Sequence, residues 1–143
     1  ARTAIVGYLC FNDLSARGFQ RTSRQWTLSK NADLSAPIGP WLVTADEIPE
    51  PEALRIITRV NGEVVQEGST ADQVFPAPEI AAYVSGCLTL RPGDVIATGT
   101  PAGVGFTRQP PRFLHPGDTV EVEIDQIGRL ITPIIPALAP QPG

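Results

Sequence analysis

One lysine, one histidine, two cysteines and no methionine occur in 143 residues, and each shortage removes a class of function. Lys30 is the sole lysine and no arginines cluster around it, so the chain lacks the basic patch that a nucleic-acid backbone requires. A formal net charge of -4 points the same way. Cys10 and Cys87 are too few for a disulfide framework. Both lie in apolar sequence and read as buried thiols in a reduced compartment. No apolar run reaches the roughly 18 residues of a membrane span, and no signal peptide precedes the first strand-like run. The expectation is a cytoplasmic protein with neither a nucleic-acid nor a membrane partner. His115 is followed by Pro116-Gly117 and reads as a surface turn residue, not a general base. Ser15 has no histidine near it in sequence, so no nucleophilic triad is assembled. The chain opens on alanine, and Ile5, Val6, Tyr8 and Leu9 follow almost at once. A buried strand this near the terminus leads us to expect that further sequence precedes it.

What the chain has in quantity is glycine and proline, 13 and 15 residues, which implies many turns and short strands. Residues 3–11 read as an apolar strand, and Asp13 and Ser15 then offer helix-start chemistry for a short helix to about Thr22. Residues 23–40 read as irregular, 41–44 as a short strand and 45–52 as an acidic surface loop. Leu54, Ile56, Thr58 and Val60 alternate up to Asn61-Gly62, beyond which the strand pattern resumes from Glu63 to Gln66. That pair accepts positive φ at both central positions of a type I′ turn, so a two-residue hairpin is predicted. Ile80, Tyr83, Val84, Cys87 and Leu88 recur at helical spacing over 78–90, with Pro78 in the first turn. Leu-x-Pro-Gly-Asp occurs twice, at 90–94 and 114–118. It reads as one turn solution used twice, launching strands at 95–98 and 119–125. In the latter, Val120, Val122 and Ile124 share a face. A turn near Gly128 and a strand over 130–134 complete the sheet. The predicted architecture is mostly β (α+β) with two short helices, a single domain over 1–133, and a proline-rich tail over 134–143.

Two segments carry candidate chemistry. The first, Asn12-Asp13-Leu14-Ser15-Ala16-Arg17-Gly18-Phe19-Gln20, places a carboxylate, a guanidinium and an amide within one short stretch. Asp13 can be a helix cap, a cation ligand, or both. Arg17 and Gln20 would share a helical face with it, either as a surface ion pair of little weight or as a cluster gripping an oxygen-rich anion. The second segment, Thr98-Gly99-Thr100-Pro101-Ala102-Gly103-Val104-Gly105, lacks a Walker lysine and dinucleotide spacing. Its glycines would let backbone approach a small ligand closely.

These two segments resemble the fumarylacetoacetate hydrolase family, and the similarity runs from about Ile5 to Leu130. It includes Ala36-Pro37-Ile38-Gly39-Pro40-Trp41, Thr44-Ala45-Asp46-Glu47-Ile48-Pro49 and the turn Arg59-Val60-Asn61-Gly62. The resemblance implies a mixed β-sandwich or β-roll and a divalent metal, Mg2+ or Mn2+ (or Ca2+ in a crystal). Asp13 would be a metal ligand, and Arg17, Gln20 and Thr100 would contact the substrate. Lys30 would be the catalytic lysine, bound to a water or a substrate oxygen. The implied activity acts on a small 2-oxo or 1,3-dicarbonyl acid through an enolate, by C–C hydrolysis, decarboxylation or isomerisation. Acylpyruvate hydrolase and 2-hydroxyhepta-2,4-diene-1,7-dioate isomerase are examples. A homodimer is implied, completed where needed by an N-terminal segment or a second chain.

Two departures from the family pattern matter. Gly18 stands where the family usually has aspartate. The family's Glu-x-Glu metal ligands and its histidine lie upstream of the matching strand, and nothing here corresponds to them. Glu121-x-Glu123 has the same letters but reads as the solvent face of a late strand. Two other functions therefore stand beside the enzyme: a catalytically silent binding or assembly module, and a metal-independent cyclase or tautomerase.

Overall fold

The computed structural model describes residues 1–22 and 24–136. The expected tail lies outside the described residues from position 137 onward. Nine elements follow in chain order: β1 (Gly7–Phe11), α1 (Arg17–Gln20), α2 (Thr27–Lys30), β2 (Ile38–Thr44), β3 (Arg55–Val60), β4 (Glu63–Ser69), α3 (Ala77–Ser85), β5 (Thr119–Ile124) and β6 (Gly128–Pro133), with short 3-10 turns between some of them.

β3, β4, β5 and β6 form one antiparallel sheet in the order β4-β3-β5-β6, and β1 pairs with β2 in a second, two-stranded sheet. The β3–β4 hairpin closes as expected. Val60 pairs with Glu63, and Asn61 and Gly62 take φ of 53° and 82°, the two left-handed positions that this turn demands. Asn61 also accepts the Thr119 amide at 2.9 Å and donates to Asp118 at 2.8 Å, so the hairpin tip is bonded to the start of β5. Across β3 and β5 the register sets Val60 against Val120 and Thr58 against Val122. Val120 and Val122 are both buried, as their alternation predicts.

Cys10, Ile48, Leu54, Val122, Ile127 and Leu130 form the core, with Tyr8, Val43 and Ile124 packed against it. It therefore joins β1 to β5 and β6. The Cys10 thiol donates to the Gly128 carbonyl at 3.4 Å, and burial pushes its pKa above the ordinary value.

The two Leu-x-Pro-Gly-Asp units do fold alike. The aspartate carboxylate accepts a backbone N–H in each, Arg91 to Asp94 at 2.7 Å and His115 to Asp118 at 2.8 Å. The aspartate amides return to the Arg91 and His115 carbonyls at 3.0 Å, and Gly93 and Gly117 have φ of 95° and 98°. Proline then glycine at the centre of such a turn is the type II arrangement.

Several expectations are corrected. The first strand begins at Gly7, because residues 2–4 form a 3-10 turn. The helix expected from Asp13 shrinks to α1, whose N-cap is Ala16 with no side-chain bond, so Asp13 and Ser15 are not caps. The reason is a long-range pairing: the amides of Asn12, Leu14 and Ala16 donate to the carbonyls of Pro37, Ser35 and Ser29, which holds this segment extended until Arg17. The stretch expected to be irregular contains α2 and the start of β2. α3 ends at Ser85, capped by Gly86, and none of its residues is buried. Residues 95–98 form no strand; they have no ladder partner, and Thr98 is bonded through its side chain instead. Cys87 is exposed, and both thiols are free.

Candidate functional site

The extended pairing of residues 12–16 with 29–37 brings Asp13 opposite the C-terminal end of α2. There the Lys30 ammonium bonds directly to the Asp13 carboxylate. Ser29, wholly buried, donates its hydroxyl to the Trp26 carbonyl at 2.9 Å and accepts the Ala16 amide. The first bond steadies the start of α2 from within, and the second ties α2 to the segment carrying Asp13.

At the start of α1, Arg17 donates across one turn to the Gln20 carboxamide oxygen at 2.5 Å. The guanidinium also lies over the Phe106 ring, 4.0 Å from its centroid, a cation–π contact. Partial burial pulls the Arg17 pKa below its ordinary value, and the Asp13 carboxylate nearby opposes that shift. Phe106 sits in the 3-10 turn Gly105–Thr107, directly after the glycine-rich segment. The two segments, far apart in sequence, thus meet at this stack.

The glycine-rich segment is fastened to β4. Gln66 donates to the Pro101 carbonyl at 2.7 Å and to the Thr100 hydroxyl at 3.2 Å, while Gln73 donates to the Thr98 hydroxyl at 3.0 Å. Arg108 donates to the Gly103 carbonyl at 3.2 Å and also to the Val65 carbonyl. A Cβ on Gly103 would stand 2.5 Å from the Val65 carbonyl oxygen, and one on Gly105 would stand 2.1 Å from that of Arg112. Gly103 and Gly105 therefore serve close approach of the chain to itself, whereas a Cβ on Gly99 would meet nothing within 4 Å.

Of the five predicted site residues, Asp13 contacts Lys30 and Arg17 contacts Gln20. Thr100 joins this group only through Phe106, later in the same loop. Gln66 and Phe106 are the participants that sequence reasoning missed. The open groove lined by Arg108, Arg112, Phe113, His115 and Asp118 contains none of the five. Its arginines are engaged, Arg108 by the carbonyls above and Arg112 by Glu63 at 2.8 Å. Glu121 and Glu123 pair with Arg129 at 2.9 Å and Arg59 at 2.5 Å, as expected of a strand's outer face.

Whether these residues suit a metal can be tested on the donor set. Among the described residues, no group of three His, Cys, Asp or Glu side chains could hold an ion. Hard divalent cations take six or more oxygens, several from carboxylates. Asp13 alone, already engaged by an ammonium, does not fit that requirement; at most it supplies one corner of a centre. No helix among the described residues is long and apolar enough to cross a membrane.

The model of the fumarylacetoacetate (FAA) hydrolase C-terminal region matches residues 1–135. The chain belongs to the fumarylacetoacetate hydrolase family. It is 46% identical over 137 residues to the human mitochondrial oxaloacetate tautomerase FAHD2A, covering 94% of this chain and 44% of that protein. The fumarylacetoacetate hydrolase of Exiguobacterium antarcticum superposes with a TM-score of 0.90 at 41% identity, over 94% of this chain and 48% of that one. The maleylpyruvate hydrolase of Sphingobium sp. SYK-6, solved in complex with manganese(II) and pyruvate, superposes with a TM-score of 0.81 at 35% identity, over 94% and 46%. The chain thus spans about half the length of the relatives it matches. Its mostly β architecture is the fold of this family.

Proposed function

We propose that residues 1–133 form the C-terminal part of the catalytic domain of an enzyme acting on a small 2-oxo or 1,3-dicarbonyl acid. The observation that carries this reading is that Arg17, bonded to Gln20 and within electrostatic reach of the Asp13 that pairs with Lys30, stacks on the loop that bears Thr100. A guanidinium and a hydroxyl suit a substrate carboxylate, which Arg17 and Thr100 would hold while Gln20 fixes the guanidinium's orientation. Lys30 would donate to the oxygen on which enolate charge develops, released from Asp13 as substrate enters. A positioned cation at that oxygen lowers the barrier because it meets charge that grows along the reaction. C–C hydrolysis, decarboxylation and isomerisation all pass through such an enolate.

Mg2+ or Mn2+ belongs to this reading with Asp13 as one ligand among others contributed from outside residues 1–143. Those ligands would come from an N-terminal segment or a second chain. A homodimer accords with the exposed apolar side chains Phe19, Trp26, Trp41, Phe75 and Tyr83, which a further polypeptide would cover; a cytoplasmic location belongs to the same reading.

The test is turnover of oxaloacetate and of an acylpyruvate by the full protein, followed by loss of enol absorbance. Arg17→Ala is expected to abolish activity while leaving thermal unfolding nearly unchanged. Equal turnover in the variant would refute the reading. Two other readings stand beside this one, and the same assay separates them. A silent binding module would turn over nothing, and a metal-independent cyclase or tautomerase would keep its rate in EDTA.

A further inference from the structure

Gln66 lies on β4, far in sequence from the loop it touches. Its carboxamide nitrogen serves two oxygens, the Pro101 carbonyl at 2.7 Å and the Thr100 hydroxyl at 3.2 Å. Which end of a carboxamide faces a partner is decided by the partner's chemistry. The Pro101 carbonyl can only accept, so the NH2 group must face it; the reversed amide would set two acceptors against each other. One N–H is thereby committed to Pro101 and the other to Thr100.

A consequence follows for the hydroxyl. Thr100 Oγ1 accepts from Gln66, so its own proton cannot point along that line. Among the described residues no acceptor takes this proton, and Thr100 is exposed. The hydroxyl is thus polarised as a donor, aimed away from β4. The loop has little freedom to turn it elsewhere. Gly103 lies against the Val65 carbonyl, and a Cβ on Gly68 would stand 3.0 Å from the Pro101 side chain. Loop and strand are therefore in contact on both sides of Gln66.

We propose that Gln66 is a positioning residue that holds the Thr100 hydroxyl as a hydrogen-bond donor toward an anionic oxygen, a carboxylate or an enolate. This deepens the proposed function and rests on its reading of Thr100 as a ligand contact. Gln66→Glu is the informative substitution. It keeps shape and size but removes both N–H donors. A carboxylate there would claim the Thr100 proton for itself and leave the hydroxyl facing the ligand with lone pairs.

Two measurements on the full protein decide the matter. The first follows the side-chain amide protons of Gln66 by NMR without ligand. Thr100→Val is expected to shift one of the two proton signals and leave the other, still bonded to Pro101, in place. If neither moves, Gln66 does not serve Thr100 and the proposal falls. The second is a double-mutant cycle on binding of pyruvate in the presence of Mn2+. Gln66→Glu and Thr100→Val should each weaken binding by about tenfold, the scale of one hydrogen bond to a charged group. The double variant should be no worse than either, because the amide acts only through the hydroxyl. Additive losses would mean that Gln66 acts by another route and would overturn the proposal. Absence of pyruvate binding by the unaltered protein would instead count against the proposed function, with the NMR result then deciding the role of Gln66.

Discussion

The Arg17 guanidinium rests on the Phe106 ring, 4.0 Å from its centroid, and this one stack joins the two segments that carry all the candidate site residues except Lys30. Arg17 has a second partner in Gln20 at 2.5 Å, so the ring and the amide together set the plane of the guanidinium. A cation–π contact at a partly exposed site is worth about 0.5–1 kcal/mol, too little to decide folding but enough to bias an orientation. Phe106→Ala is therefore expected to raise KM several-fold with little change in melting temperature, and Phe106→Tyr to restore it. Steady-state kinetics beside thermal unfolding checks both.

The Lys30–Asp13 pair should matter to chemistry and hardly at all to stability. Both side chains keep appreciable exposure, 29% and 41%, and pairs so placed contribute about 0–1 kcal/mol. Lys30→Met is expected to shift the urea midpoint only slightly while removing turnover. Comparable losses of stability and activity would assign the lysine a scaffolding role.

The two thiols should separate cleanly by reactivity. Cys10 is buried, and burial raises its pKa, while Cys87 is exposed. Iodoacetamide at mildly alkaline pH should alkylate Cys87 in the folded protein and reach Cys10 only after denaturation, as read by peptide mass spectrometry. The raised pKa also has a sign in stability. The folded state holds the Cys10 proton more tightly than the unfolded chain does. Its contribution is complete below the unfolded thiol's value and is lost as pH rises through the folded one.

Asp118 has the opposite linkage. The His115 backbone N–H, then the Asn61 side chain, hold its carboxyl below the usual carboxylate range. Stability from this carboxylate is present above its unfolded pKa and lost as pH falls through the folded one. Asp94 makes the same turn but has no counterpart of the Asn61 bond and launches no strand. Asp118→Ala should therefore lower the melting temperature at neutral pH more than Asp94→Ala, and the gap between the variants should shrink in acid. Parallel melts at neutral and acid pH provide the comparison.

Much of the scaffold was legible wherever the deciding interactions are local. Asn61-Gly62 and the two Pro-Gly-Asp turns adopt the conformations that their own residue types favour, and the alternation of Val120 and Val122 sorts them to the buried face. Legibility ended where a distant partner decides. Asp13 looked like a helix cap because capping is the near option, but backbone pairing with residues 29–37 and the ammonium of Lys30 take precedence. Residues 95–98 have strand composition without a neighbouring strand. The same limit applies at the site. The family resemblance named Asp13, Arg17, Gln20, Lys30 and Thr100, whereas Gln66 and Phe106 act across long separations and leave no local pattern in the chain.

Helix α3 has a dynamic consequence. It is nine residues long, none of them buried, and Tyr83 is 86% exposed. Helices this short are marginal in water unless an apolar face is packed. In the isolated chain its amides should exchange with deuterium far sooner than those of β3 and β5. Slow exchange would arise only once another surface settles over Tyr83, making this helix a sensor of assembly.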